Sequence, residues 1–166
     1  MGTDKGLLDF NGKAMITYAI DLLSGVFKIV LISSNNAEYE KFGFNVITDI
    51  HQNCGPIGGL HALLKHIDTE YAFVLGCDMP FVDKKAVIRL LRNNHDHQIV
   101  IPRQENKLEP LCAVYSKWLL AEIEKRIQIG NYKLVDLIEN ANTQYVDFET
   151  ENTFVNINSR SDLYML

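Results

Sequence analysis

Apolar positions along this chain alternate between short continuous runs and stripes spaced three and four apart, the pattern of strands alternating with helices. Over 14–23, Met15, Ile16, Ala19, Ile20 and Leu23 share one helical face, and Gly25 ends the helix. Residues 27–32 are a nearly continuous apolar run, which predicts a strand covered on both faces as in a parallel sheet. Ser33, Ser34, Asn35 and Asn36 follow it, a polar cluster able to cap a helix over 37–42. A short strand over 44–48 runs into Asp49, and Leu60, Leu63, Leu64 and Ile67 mark the next helix.

Residues 71–81, Tyr-Ala-Phe-Val-Leu-Gly-Cys-Asp-Met-Pro-Phe, predict a buried strand that stops in a tight loop. Asp83 is placed to cap the following helix over 84–94, with Val87, Leu90 and Leu91 on its buried stripe. A strand over 98–102, a polar turn and an extended return over 108–115 have no helix between them, so they predict an antiparallel pair. Leu119, Ile123 and Ile127, then Leu134, Leu137 and Ile138, give two helices separated by Gly130, the second capped by Asn131. Short strands over 143–148 and 154–157 follow, and Ser159 with Asp162 opens a terminal helix as a capping box. The whole predicts a three-layer α/β/α domain with a mainly parallel sheet.

At 166 residues the length suits one domain. A net charge of -5 without a basic block argues against a nucleic-acid or membrane-surface binder and favours small-molecule chemistry. No apolar run reaches the roughly 20 residues of a membrane span and no signal-peptide order opens the chain, so a cytoplasmic protein is expected. Cys54, Cys77 and Cys112 are too scattered for a disulfide framework or a metal knuckle and are read as reduced. His95 and His97 would face one way on a strand but lack a third metal ligand nearby.

Asp78 is the candidate chemical centre. In open α/β sheets ligands bind outside the carboxyl ends of the strands, where a carboxylate can hold a magnesium ion bridging phosphates. It can equally be a turn former that accepts backbone N–H groups. Upstream, Asn53-Cys54-Gly55-Pro56-Ile57-Gly58-Gly59 opens a helix, and glycines there let N–H groups approach an anion; the spacing is neither a dinucleotide fingerprint nor a P-loop.

Five segments, taken in order, carry a resemblance: Met1-Gly2-Thr3-Asp4-Lys5, Gly55-Pro56-x-x-Gly59, Cys77-Asp78-Met79-Pro80-Phe81, Glu109-Pro110-Leu111-Cys112-Ala113-Val114-Tyr115 and Asn156-Ile157-Asn158. Together they resemble the molybdenum cofactor guanylyltransferases along the whole chain. The resemblance implies a Rossmann-like nucleotidyltransferase fold and transfer of GMP from GTP to the phosphate of molybdopterin, with release of pyrophosphate. It implies that Asp78 holds Mg²⁺, that Lys5 contacts phosphate oxygens, and that Asn35 and Asp49 lie at the guanosine. Gly55 and Gly59 would sit beside the nucleotide, and Asn156 and Asn158 on the pterin side. GTP and molybdopterin are the implied small-molecule partners, with other molybdenum cofactor proteins as further ones.

The family opens with a strand and an L-x-G-G-x-S-x-R loop before the Met-Gly-x-Asp-Lys motif, whereas this sequence starts at that Met1. The expectation is therefore a single domain over 1–166, truncated at its N-terminus, with the first central strand missing and guanylate transfer by the polypeptide as written poor. Either a start codon assigned to the internal methionine or a true fragment would account for it, the first being the expectation. Two other readings fit the same residues: a non-catalytic nucleotide-binding relative, and a cytidylyl or sugar nucleotidyltransferase.

Overall fold

Residues 4–149 and 153–157 are described by the structure, a computed structural model. The chain enters through a 3-10 turn, Lys5–Leu7, and a small antiparallel hairpin, β1 (Asp9–Phe10) and β2 (Lys13–Ala14), that leads into helix α1 (Met15–Ser24). The apolar stripe of α1 buries Met15, Ile16, Ala19 and Ile20, and Gly25 caps its end, as the spacing predicts. Strands β3 (Leu31–Ser33) and β4 (Asn45–Ile47) pair in parallel as a two-stranded sheet. Helix α2 (Pro56–His66) then leads to β5 (Tyr71–Leu75), and α3 (Lys84–Arg92) to β6 (Ile99–Gln104). The short β7 (Lys107–Leu108) and long β8 (Cys112–Ser116) precede α4 (Leu120–Gln128), α5 (Leu134–Glu139) and β9 (Thr143–Asp147).

The larger sheet runs β5-β8-β6, with β9 pairing in parallel to β6. Strand β8 is antiparallel to both β5 and β6, so β5, β6 and β9 run one way and β8 alone among them is reversed. Alternation along β6 builds the layers. Ile99 and Ile101 face Ile57, Leu60 and Leu64 of α2, Ile123 of α4 and Leu137 of α5, whereas Val100 faces Val87 and Leu90 of α3. Helices thus cover both faces, the three-layer arrangement expected. Helix α2 also packs on β3 and β4, so it spans the two sheets.

Several expectations are corrected. The run over 27–32 yields a strand only from Leu31, and Ile29 is 73% exposed. The cause is pairing: β3 bonds to β4 on one side, and among the described residues no strand occupies its other edge. Strand β5 shows the same effect. Its residues are all half-buried, while its neighbour β8, paired on both edges, is buried throughout. The segment 108–115 divides into β7 and β8, because Pro110 has no N–H to give a ladder and the chain turns there.

Residues 154–157 form no strand: Phe154 packs edge-on against Phe148, and the Ile157 N–H donates to the Asp78 carbonyl at 2.8 Å. Asn131 is not the cap of α5, which is Lys133; its Oδ1 instead accepts the Lys133 N–H at 3.3 Å, a turn formed before the helix. Asn36 and Asp83 do cap, accepting the N–H groups of Glu38 and Ala86. The predicted Ser159–Asp162 capping box lies outside the described residues. Among the described residues, no helix is long and apolar enough to cross a membrane.

Candidate active site

Since β5 and β8 are antiparallel, with Leu75 opposite Cys112, the segment leaving β5 and the segment entering β8 lie at one end of the sheet. The first carries Asp78 and the second Glu109. Hydrogen bonds fix both. The Gly76 N–H donates to the Leu111 carbonyl at 2.6 Å, the Cys112 N–H to the Glu109 carbonyl at 2.9 Å, and the Tyr115 hydroxyl to the Pro110 carbonyl at 2.8 Å. The Asp78 carboxylate folds back over Gly76: a Cβ on that glycine would stand 2.7 Å from Oδ1. A side chain there would fill the space the carboxylate occupies.

The Lys5 turn is held beside this loop. Asp4 accepts hydrogen bonds from the Tyr39 hydroxyl at 2.6 Å, the Asn36 amide at 3.1 Å and the Gly6 N–H at 3.2 Å. Gly6 is buried against the Tyr39 ring and the Cys77 sulfur, where a side chain would collide. Burial, then the neighbouring Asp78 and Asp4 carboxylates, push the Cys77 thiol up to about 11, partly opposed by the positive charge of Lys5. Burial and the bond to Asp4 likewise hold the Tyr39 hydroxyl well above its usual range. Lys5 and Asp78 thus stand on segments that meet at Cys77.

Asn35 and Asp49 form a reciprocal pair. The Asn35 amide donates to Asp49 Oδ2 at 3.0 Å and the Asp49 N–H donates to Asn35 Oδ1 at 2.9 Å. The Asp49 carboxylate lies against the first turn of α2, since Cβ atoms on Gly58 and Gly59 would come within 3.5 and 3.6 Å of it. Gly55, at φ +64, is the N-cap and contributes no side-chain hydrogen bond; Pro56 has no N–H, and the Gly58 N–H donates to the Gly55 carbonyl at 3.0 Å, so what the turn offers an anion is chiefly the positive end of the helix dipole.

A cavity of about 350 Å³ opens on the other side of that turn, lined by Pro56, Asp78, Met79, Glu109, Leu111 and Asn156 among others. Asn156 donates to Glu109 Oε2 at 3.2 Å, and Lys107 pairs with Oε1 at 2.8 Å. Of the residues singled out from sequence, Lys5, Asp78, Asn35, Asp49, Gly55, Gly59 and Asn156 therefore surround the first turn of α2 and the end of β5. Asn158 lies outside the described residues. Sequence reasoning missed Asp4, Tyr39 and the Glu109 side chain. The last stood in a quoted motif, but its burial depends on a partner 47 residues away.

Among the described residues no three or more His, Cys, Asp or Glu side chains are grouped to share a metal ion. A single hard oxygen donor such as Asp78, at the mouth of a cleft, suits magnesium, which keeps waters and takes substrate phosphates rather than an all-protein cage.

The family model described as MobA-like NTP transferase domain matches residues 1–145. A Clostridium perfringens protein named "Probable molybdenum cofactor guanylyltransferase" is 36% identical over 80% of this chain and 67% of its own length. A molybdenum cofactor guanylyltransferase of Vibrio parahaemolyticus is 32% identical over 98% of this chain and 85% of its own. Among solved structures, molybdopterin-guanine dinucleotide biosynthesis protein A from Archaeoglobus fulgidus superposes with a TM-score of 0.83 at 28% identity, covering 99% of this chain and 89% of that one.

Proposed function

The chain belongs to the MobA-like NTP transferase domain family, and on that premise we propose that it transfers GMP from GTP to the terminal phosphate of molybdopterin. A phosphate oxygen of molybdopterin bonds to the α-phosphorus of GTP, the bond from that phosphorus to the bridging oxygen breaks, and pyrophosphate leaves. Such transfers need positioning and charge neutralisation more than covalent help from the protein. The supporting observation is the meeting of the Lys5 turn and the Asp78 loop at Cys77, beside an α2 N-terminus free of side-chain caps.

In this reading Lys5 neutralises phosphate oxygens as a point charge, and the glycine turn from Gly55 to Gly59 lets the nucleotide come close to the N-terminus of α2. The Asn35–Asp49 pair presents a fixed carboxylate edge to the guanosine. Asp78 is the protein ligand of Mg²⁺, and Gly76 leaves room for its carboxylate. Held by Asp78, magnesium would supply a divalent charge to offset charge developing on the departing pyrophosphate. Asn156 lies toward the pterin, and Asn158, outside the described residues, is assigned to the same substrate by resemblance alone.

The test is pyrophosphate release with molybdopterin as acceptor, comparing GTP, CTP and UTP with and without Mg²⁺. Release with GTP alone, dependent on the metal, is the expected result. Equal or better use of CTP or UTP would replace the guanylyl assignment.

A further inference from the structure

We infer that Glu109 is the specificity residue for the acceptor, reading the 2-amino-4-oxo edge of its pterin ring with its carboxylate. The inference rests on the proposed transfer reaction and names what selects its second substrate. That edge offers adjacent N–H and NH₂ donors, which the two oxygens of one carboxylate match.

Burial of this acid carries the inference. The Glu109 side chain is only 8% exposed, yet it lines the cavity that holds Asp78. A buried carboxylate is costly unless its lone pairs are engaged. Asn156 takes Oε2 and the largely exposed Lys107 takes Oε1, which leaves about two of its roughly four acceptor sites for a ligand. The Glu109-Pro110-Leu111 turn holding it has all its carbonyls bonded, to Cys112, Tyr115 and Gly76. The acid is therefore fixed before any ligand arrives.

The rest of the cavity suits a flat heterocycle. Pro56, Met79, Pro110 and Leu111 give apolar walls, and about 350 Å³ falls in the roughly 300–1,000 Å³ range of small-molecule sites. Asp78 sits at the same cavity, so a ring anchored at Glu109 places its phosphate tail toward the metal acid. Asn156 offers a single acceptor oxygen rather than the paired oxygens of a carboxylate, and its amide nitrogen donates to Glu109. Asn156 instead orients the carboxylate, and the Ile157 N–H bond to Asp78 ties that segment to the metal loop.

Fluorescence titration with 6-hydroxymethylpterin phosphate and with the corresponding lumazine, which carries a 2-oxo group in place of the 2-amino group, tests this directly. It is run with and without Mg·GTP. The wild-type chain is expected to prefer the pterin by about tenfold or more, the discrimination typical of a bidentate pair. Glu109→Gln keeps the volume but replaces one acceptor by a donor, so the preference should collapse or turn toward the lumazine, with Mg·GTP affinity unchanged. Lys107→Met, which removes the ion pair but not the acid, should retain the pterin preference.

An undiminished preference in Glu109→Gln overturns the inference, and so does a parallel loss of Mg·GTP binding or a collapse in Lys107→Met. A wild-type chain that binds Mg·GTP without preferring the pterin overturns the inference and leaves the nucleotide reading standing. A chain that keeps the preference but fails to bind Mg·GTP does the reverse.

Discussion

Gly76 decides where the Asp78 carboxylate can lie. Its backbone is not in the left-handed region, so alanine would fit the local conformation, but the added Cβ would stand 2.7 Å from Oδ1. The carboxylate, as the end of a side chain, would rotate away while the fold persists. Gly76→Ala should therefore weaken magnesium-dependent GTP binding by roughly tenfold, the scale of perturbing the surroundings of a metal ligand. The melting temperature should barely change. Calorimetry and a thermal melt on one preparation check it: equal loss of stability and binding would mean that the glycine serves the fold instead. Asp78, Lys5 and Asp49 could be singled out from the sequence because each is a charged or polar residue after an apolar run or in a quoted motif. Tyr39 lies in no such motif, and Glu109, though in one, shows what its side chain does only in three dimensions. Their roles depend on Asp4, 35 residues away, and Asn156, 47 residues away.

At the scale of elements, the helices were the more legible part. Helices α1 and α3 are specified by stripes and local caps, and Asp83 caps as its position predicts. Strands depend on distant partners, so β3 proved short and 154–157 irregular, even though both are apolar. The contrast between β8 and β5 has a measurable consequence. Amides of β8 are paired on both edges of a buried strand, whereas among the described residues β5 has a strand partner, β8, on one edge only. Hydrogen exchange should be slowest in residues 112–116 and clearly faster in 71–75, with the Leu31–Ser33 segment faster still. Protection of 71–75 equal to that of 112–116 would contradict this assignment of edges.

For the whole molecule, ionisation bounds the stable pH range. Arg103, bonding both Asp147 oxygens at 2.6 and 3.0 Å, lowers that carboxyl, and His61 with Lys65 lowers Glu124. Folded values below the unfolded ones give stability that is present above the ordinary carboxylate range and lost as pH falls through it. The Cys77 thiol is raised from about 9 to about 11, so its contribution is full below pH 9 and is lost between 9 and 11. Melting temperature against pH should therefore form a plateau from about pH 5 to 9. Burial raises the Cys112 thiol as well, so Cys77→Ala should make the alkaline loss shallower without abolishing it, and Arg103→Leu should do the same on the acid side, where Glu124 still acts; unchanged limbs in both variants would remove Cys77 and Asp147 as contributors. The alternation of strands and helices made the three layers legible from sequence. The reversed β8 was partly legible, from the missing helix between 102 and 108. That α2 would span two separate sheets was not, since no local pattern encodes which edges stay unpaired.

Calorimetric titration of GTP into the wild-type chain and Asp78→Asn, each with Mg²⁺ and with chelator, tests the central claim most directly. The account predicts metal-dependent binding in the wild type and, in the variant, an affinity at least roughly tenfold lower that no longer responds to the metal. Equal, metal-dependent affinity in the two proteins would contradict it.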